Sequence, residues 1–134
     1  MSAKSKGSSG EREACEWLER KLFGRDVGLK RNLNQSRDGG ADIIHHPFVF
    51  EVKRRKGDKN LGFYKWWIQV VKATKWLNIR CSVDTYTPVV MFRIDFSDWQ
   101  FLISANQLDG PTQGWLHMDA MRFIQWAKTF AKIN

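Results

Sequence analysis

Between Asp42 and Lys53 the chain reads Asp-Ile-Ile-His-His-Pro-Phe-Val-Phe-Glu-Val-Lys, which brings two carboxylates and an ammonium within reach of one another if it folds as a β-hairpin. With His45-His46-Pro47-Phe48 as the turn, Ile44 is predicted to face Val49, Ile43 to face Phe50 and Asp42 to face Glu51. Strand side chains alternate faces, so Lys53 shares the face of Glu51. Cross-strand Cβ atoms lie about 5 Å apart, and a hard cation takes oxygen ligands at about 2.0–2.6 Å, so Asp42 and Glu51 could hold one jointly. A plainer reading makes Asp42 part of a turn beside Gly39-Gly40 and makes Glu51 and Lys53 a solvated rim. Ile43, Ile44, Val49, Phe50 and Val52 speak against it, because they are apolar on both faces, as in a strand pair covered on both sides. Facing carboxylates in such surroundings raise each other's pKa, a penalty that a divalent cation removes.

A third acid lies upstream. Ser9 to Phe23 reads as one amphipathic helix that Gly24 is placed to end. Glu11 stands on its inward stripe with Cys15, Leu18 and Leu22, whereas Glu13, Glu16 and Glu19 fall mostly on the solvated side. Ser8-Ser9-Gly10-Glu11 also fits a capping box, in which Glu11 would bond back to the Ser8 amide.

Lys6-Gly7-Ser8-Ser9-Gly10-Glu11-Arg12-Glu13, then Gly40-Ala41-Asp42, then Glu51-Val52-Lys53, resembles the motif series of the PD-(D/E)xK nuclease superfamily. Within it the chain is most similar to the archaeal-type Holliday junction resolvases, a family also found in viruses. The resemblance covers about the first eighty residues. It implies an α/β fold with a mixed central sheet flanked by helices, as in restriction endonucleases. It also implies a role for each matching residue: Glu11 as the acid of the first helix, Asp42 and Glu51 as metal-binding acids with the Val52 carbonyl, and Lys53 beside the attacking water. Ser36 lies near the position of an active-site serine in these resolvases, and Gln69 and Lys72 match a helix that often sends Gln and Lys into the site. Gly40-Ala41 stand where many relatives have a proline before the aspartate. The implied activity is magnesium-dependent hydrolysis of a phosphodiester, with manganese as a substitute, in four-way DNA junctions cut by a homodimer. Other branches of the superfamily cut flaps, single strands or duplex, and a chain that only binds DNA is the reading from a different class.

Composition bounds the partner. Lys and Arg number 22 against 14 Asp and Glu, a formal net charge of +8, and the pI near 9.8 exceeds the value of about 9 typical of nucleic-acid-binding domains. Such a balance also suits an anionic membrane, but the sequence has no lipidation signal, polybasic amphipathic helix or long apolar span. Its 134 residues make one domain with a real core. Cys15 and Cys81 form neither a disulfide framework nor a metal spacing, so a reduced cytoplasm is the expected compartment, that of the host for a phage-encoded chain. Residues 1–10, rich in Lys, Ser and Gly, read as a flexible basic tail rather than a signal peptide, leaving 11–134 as the folded domain.

The remaining elements must carry these groups. Arg25 to Leu33 is predicted as an edge strand, followed by the polar loop Asn34 to Gly40 and then the hairpin. Arg54-Arg55-Lys56-Gly57-Asp58-Lys59-Asn60 is a basic connector: a solvated loop on its own, a phosphate holder beside a nuclease site. Leu61 to Asn78 reads as a helix with Lys65, Gln69 and Lys72 on one stripe. With Lys6, Arg37, Arg54, Arg55, Lys56 and Lys59, the two lysines of that stripe make the expected DNA-contacting set. Tyr64, Trp66, Trp67 and Trp76 on the same helix are core residues or stacking platforms for unpaired bases. Thr87 to Ile94 and Trp99 to Ile103 are predicted strands turned by Asp95 to Asp98. The helix Asp119 to Lys132 carries an apolar stripe of Ala120, Phe123, Ile124, Ala127 and Ala131, flanked by Trp126 and Phe130, which could reach a second subunit. His45, His46 and His117 lack ligand spacing and read as turn or surface residues.

Overall fold

A computed structural model describes residues 3–35, 40–57, 59, 61–82, 85–105 and 114–134, with side chains from Ser9 onward. The described residues form one five-stranded sheet in the order β1-β2-β3-β4-β5. Its strands are β1 (Ile43–His45), β2 (Phe48–Arg55), β3 (Thr87–Ile94), β4 (Gln100–Ser104) and β5 (Trp115–Asp119). β2 and β3 run parallel and every other neighbouring pair is antiparallel, so the sheet is mixed, as expected. The parallel step needs a crossover, and helix α2 (Phe63–Cys81) provides it.

The hairpin register is the predicted one, with Ile43 opposite Phe50 and Ile44 opposite Val49. Alternation along β2 and β3 then divides the core in two. Phe48, Phe50, Val89 and Met91 point to the face covered by the first helix, α1 (Ala3–Leu18), and the last, α3 (Ala120–Ala131). Val49, Val90 and Phe92 point to the other face, where Trp66, Trp67, Val70, Ala73 and Leu77 of α2 cover them. Trp66 and Trp67 are therefore core residues. On the first face Phe101 and Phe123 stack with ring centroids 3.9 Å apart.

Three expectations need correction. Helix α1 begins at Ala3, so residues 3–10, read as a tail, are helical. Further along, Gly10 rides against the aliphatic stem of Arg54, within about 3.4 Å of where a Cβ would stand. Glu11 consequently lies well inside the helix, and a capping box at Ser8 does not apply. At its other end α1 widens into a π-helical turn, Glu19–Phe23, closed by Gly24 in the left-handed conformation as the sequence suggests. Residues 25–32 are irregular rather than an edge strand; they touch the sheet through Asn32, whose N–H donates to the Asp42 carbonyl at 2.7 Å and whose side-chain amide donates to Ala41 at 2.9 Å. Strand β5 has no clear sequence signal, because its five residues are only partly covered and run straight into Asp119, the N-cap of α3. Trp126 and Phe130 stack on each other and lie against Phe48 of the same chain.

Candidate active site

Asp42 sits just before β1, and its backbone is tied on both sides. Its N–H donates to the Phe50 carbonyl at 3.1 Å, and its own carbonyl accepts from Asn32. The side chain turns towards β2, where Oδ2 accepts the Val52 N–H at 2.8 Å. Glu51 is the residue before that amide, and the two carboxyl groups are close enough to share a hydrogen bond. Both are buried.

This environment works against ionisation. Asp42 is pushed up to about 8, first by burial and then by the charge of Glu51, against the opposing Val52 N–H; Glu11 adds a smaller upward push. Glu51 is also raised by burial, against the pull of Lys53. Lys53 Nζ lies 3.2 Å from Glu51 Oε1, on the face that strand alternation assigns to it. Asp42, Glu51 and Lys53 therefore form one contiguous group, as expected.

Glu11 stands beside this group without joining it. Its Oε2 accepts from Arg31 Nε at 2.8 Å and its Oε1 from the Gln35 amide at 3.1 Å. Among the described residues no three His, Cys, Asp or Glu side chains are gathered closely enough to hold a metal ion. The three-acid cluster expected from the sequence is thus a pair plus a neighbour, because a guanidinium occupies the third carboxylate. The pair does fit a small divalent cation: two hard oxygen donors, whose charge burial disfavours, have the chemistry such an ion needs.

Arg31 and Gln35 are site residues that sequence reasoning missed. Nothing local marks them, since Arg31 reaches Glu11 only because Asn32 pins its segment beside Asp42. The thiol of Cys15, one helical turn beyond Glu11, is pushed up to about 11 by burial, then by Glu19 and Glu11. Both cysteines are free.

The basic residues divide into two kinds. Lys56, Lys59, Lys65 and Lys72 are exposed. Arg54 is engaged within the protein: it lies beneath α1, paired with Glu13 at 3.0 Å and Asp95 at 2.7 Å. Arg55 packs over the Trp66 ring at 5.2 Å and donates to the Arg54 carbonyl. Gln69 is exposed on α2, and among the described residues no hydrogen bond ties it to the carboxylates. Ser36 and Arg37 lie outside the described residues, as does the side chain of Lys6. The histidines are elsewhere: His45 against Phe23, His46 against Tyr86, and His117 bonded to Gln100.

No protein-family model and no curated protein matches the chain. Among solved structures it is similar to the 1.6 Å structure of Hjc from Archaeoglobus fulgidus, a Holliday junction resolvase from an archaeal hyperthermophile. The two share 18% identity and superpose with a TM-score of 0.51 over 87% of this chain and 85% of that one. At that identity the likeness is one of fold: the mixed sheet with helices on both faces is common to both, and the relationship is distant. Among the described residues no helix is long and apolar enough to cross a membrane.

Proposed function

We propose that the protein is a metal-dependent, structure-selective endodeoxyribonuclease that cuts four-way DNA junctions. The observation that carries this reading is the buried Asp42–Glu51 carboxyl pair with Lys53 against it. A purely structural role would not favour two neighbouring acids in a covered strand pair, where burial and mutual repulsion both oppose their charge. The fold likeness to a resolvase and the net charge of +8 support the choice of DNA as substrate.

Asp42, Glu51 and the Val52 carbonyl would hold magnesium, or manganese in its place. Once bound, the ion supplies a polarised phosphate and a water of lowered pKa. Lys53, 3.2 Å from Glu51, would orient an attacking water and offset negative charge growing on the phosphate. The water oxygen bonds to phosphorus as one phosphorus–oxygen ester bond breaks, which leaves a phosphomonoester and a hydroxyl. Glu11 is released to this group only when Arg31 gives it up. Lys56, Lys59, Lys65 and Lys72 hold backbone phosphates around the site and carry no sequence information. A homodimer would suit a junction, whose two-fold symmetry calls for two cuts.

The test is cleavage of matched four-way, flap and linear DNAs with and without magnesium. Junction cutting that needs the ion, and that Asp42→Ala and Glu51→Ala abolish while binding persists, is the expected result. Preferential cutting of flaps or duplex would assign another specificity to the same site. The engagement of Glu11 by Arg31 favours one rival reading, a module that binds branched DNA without cutting it. Tight junction binding with no cleavage in magnesium or manganese would establish that rival.

A further inference from the structure

The turn between β3 and β4 carries Phe96 in a setting that packing does not explain. The ring is fully exposed. The Ser97 N–H donates to the Ile94 carbonyl at 3.0 Å, so Phe96 is the third residue of a four-residue turn, and its φ is 69°. Positive φ at that position calls for Gly or Asn; a bulky side chain there is an outlier. Other exposed apolar residues, such as Tyr64, Ile68 and Met121, sit on helices with ordinary backbone. Phe96 alone among these combines exposure with a disfavoured backbone, a combination that points from strain towards use.

The turn is also held firmly. Asp95 N–H donates to the Arg55 carbonyl at 2.9 Å, and the Asp95 carboxylate takes Arg54 at 2.7 Å. Arg93 Nε donates to the Ser97 carbonyl at 2.7 Å, and Trp99 is buried just beyond. A backbone held in this way presents the ring at a fixed place, so meeting a flat partner costs little ordering of the turn. The location identifies the partner. The turn is seated on the last residue of β2, where the chain leaves into exposed Lys56 and Lys59. Arg55 stands four strand positions beyond Glu51, about 13 Å at the usual rise. At about 3.4 Å per nucleotide of one strand, this spans roughly four steps.

We propose that Phe96 stacks on a nucleobase exposed at a DNA branch point, about four nucleotides from the phosphate cut beside Asp42 and Glu51. This rests on the nuclease reading above and adds a structure-selecting residue to it. Stacking on an aromatic ring needs an open base face, which a branch offers and an intact duplex does not.

Binding of a four-way junction and of a matched duplex by Phe96→Ala, Phe96→Gly and Phe96→Trp tests this. Glycine suits the turn better than phenylalanine, so Phe96→Gly should melt no lower than the parent, which separates stacking from folding. Phe96→Ala and Phe96→Gly should weaken junction binding about tenfold with little change on duplex, while Phe96→Trp retains it. A 2-aminopurine at the branch should change its emission on binding the parent and Phe96→Trp, but not Phe96→Gly. Parental junction affinity in Phe96→Gly, or equal losses on junction and duplex, would overturn the proposal and leave the nuclease reading standing. A parent protein that binds neither DNA would overturn both.

Discussion

Arg31 holds Glu11 through an Nε to Oε2 hydrogen bond of 2.8 Å, so the third acid acting on the Asp42–Glu51 pair is neutralised by a residue twenty positions along the chain. Opening that bond should strengthen cation binding. Arg31→Gln removes a positive charge near the pair and frees a carboxylate to join it; at an effective dielectric of about 20 this is worth about 1 kcal/mol, or roughly fivefold in affinity. Manganese titration by calorimetry reads the gain directly. Loss of the gain when Glu11→Gln is placed in the Arg31→Gln background assigns it to the Glu11 carboxylate; a gain that survives assigns it to removal of the Arg31 charge alone.

Asp42 makes the metal-free protein sensitive to pH in a direction opposite to that of a salt-bridged carboxylate. Its pKa rises from 3.8 to about 8 on folding. The folded state therefore prefers the protonated acid. The stability this contributes is fully present below about pH 4 and is lost as pH climbs through about 8. In the presence of a chelator, the urea midpoint should fall between pH 5 and pH 8.5, and Asp42→Asn should flatten that fall. Adding magnesium at pH 7 should release protons and restore the midpoint, since the ion takes over the proton's role. A wild-type slope that Asp42→Asn leaves unchanged would place the pH response elsewhere.

Much of this site is legible in the sequence, because its central groups are local. Asp42, Glu51 and Lys53 lie within one hairpin whose turn residues and two-residue alternation set the register, and the structure pairs Ile43 with Phe50 and Ile44 with Val49 as that alternation requires. β3, bounded by Thr87 and Ile94, is equally legible as a run of branched and aromatic residues ending at a turn. The features that escape a sequence reading depend on partners distant along the chain. Arg31 meets Glu11 across the fold, and Arg54, one residue past the Glu-x-Lys motif, belongs by sequence to a basic loop but lies in the structure beneath α1. The start of α1 is hidden because Gly7, Ser8, Ser9 and Gly10 are poor helix formers, and the place of Gly10 against the Arg54 stem cannot be read from local sequence.

The stacked pair Phe101 and Phe123 should carry a large share of the stability on the α1 and α3 face. Both rings are buried, and Phe123 also touches Phe48, Phe50 and Trp126. Phe123→Ala leaves a cavity beneath several rings at once, and an unfolding loss of about 3–5 kcal/mol is expected. Phe123→Leu keeps most of the volume and should cost less. Chemical denaturation of the two variants gives the comparison, and equal losses would mean that ring stacking, rather than filled volume, dominates between these helices and the sheet.

Arg54 and the exposed lysines should separate cleanly in their response to salt. Arg54 binds Glu13 and Asp95 and is only partly exposed, so its loss removes two ion pairs beneath α1, while Arg93 still holds Glu13. A cost between that of a surface pair and a buried one, about 2 kcal/mol in urea unfolding, is expected for Arg54→Ala. The salt dependence of DNA affinity in that variant should match the parent's, since the same phosphates remain neutralised. Lys56→Ala and Lys59→Ala should do the reverse: they keep the unfolding midpoint but reduce the slope of log affinity against log salt by about 0.9 for each phosphate left without its lysine on duplex arms. Measuring both quantities on the same three variants decides whether the connector after β2 meets DNA through its lysines alone. If Arg54→Ala lowered the salt slope as the lysine variants do, the arginine would have to leave Glu13 and Asp95 to bind a phosphate, and the turn that carries Phe96 would move with it.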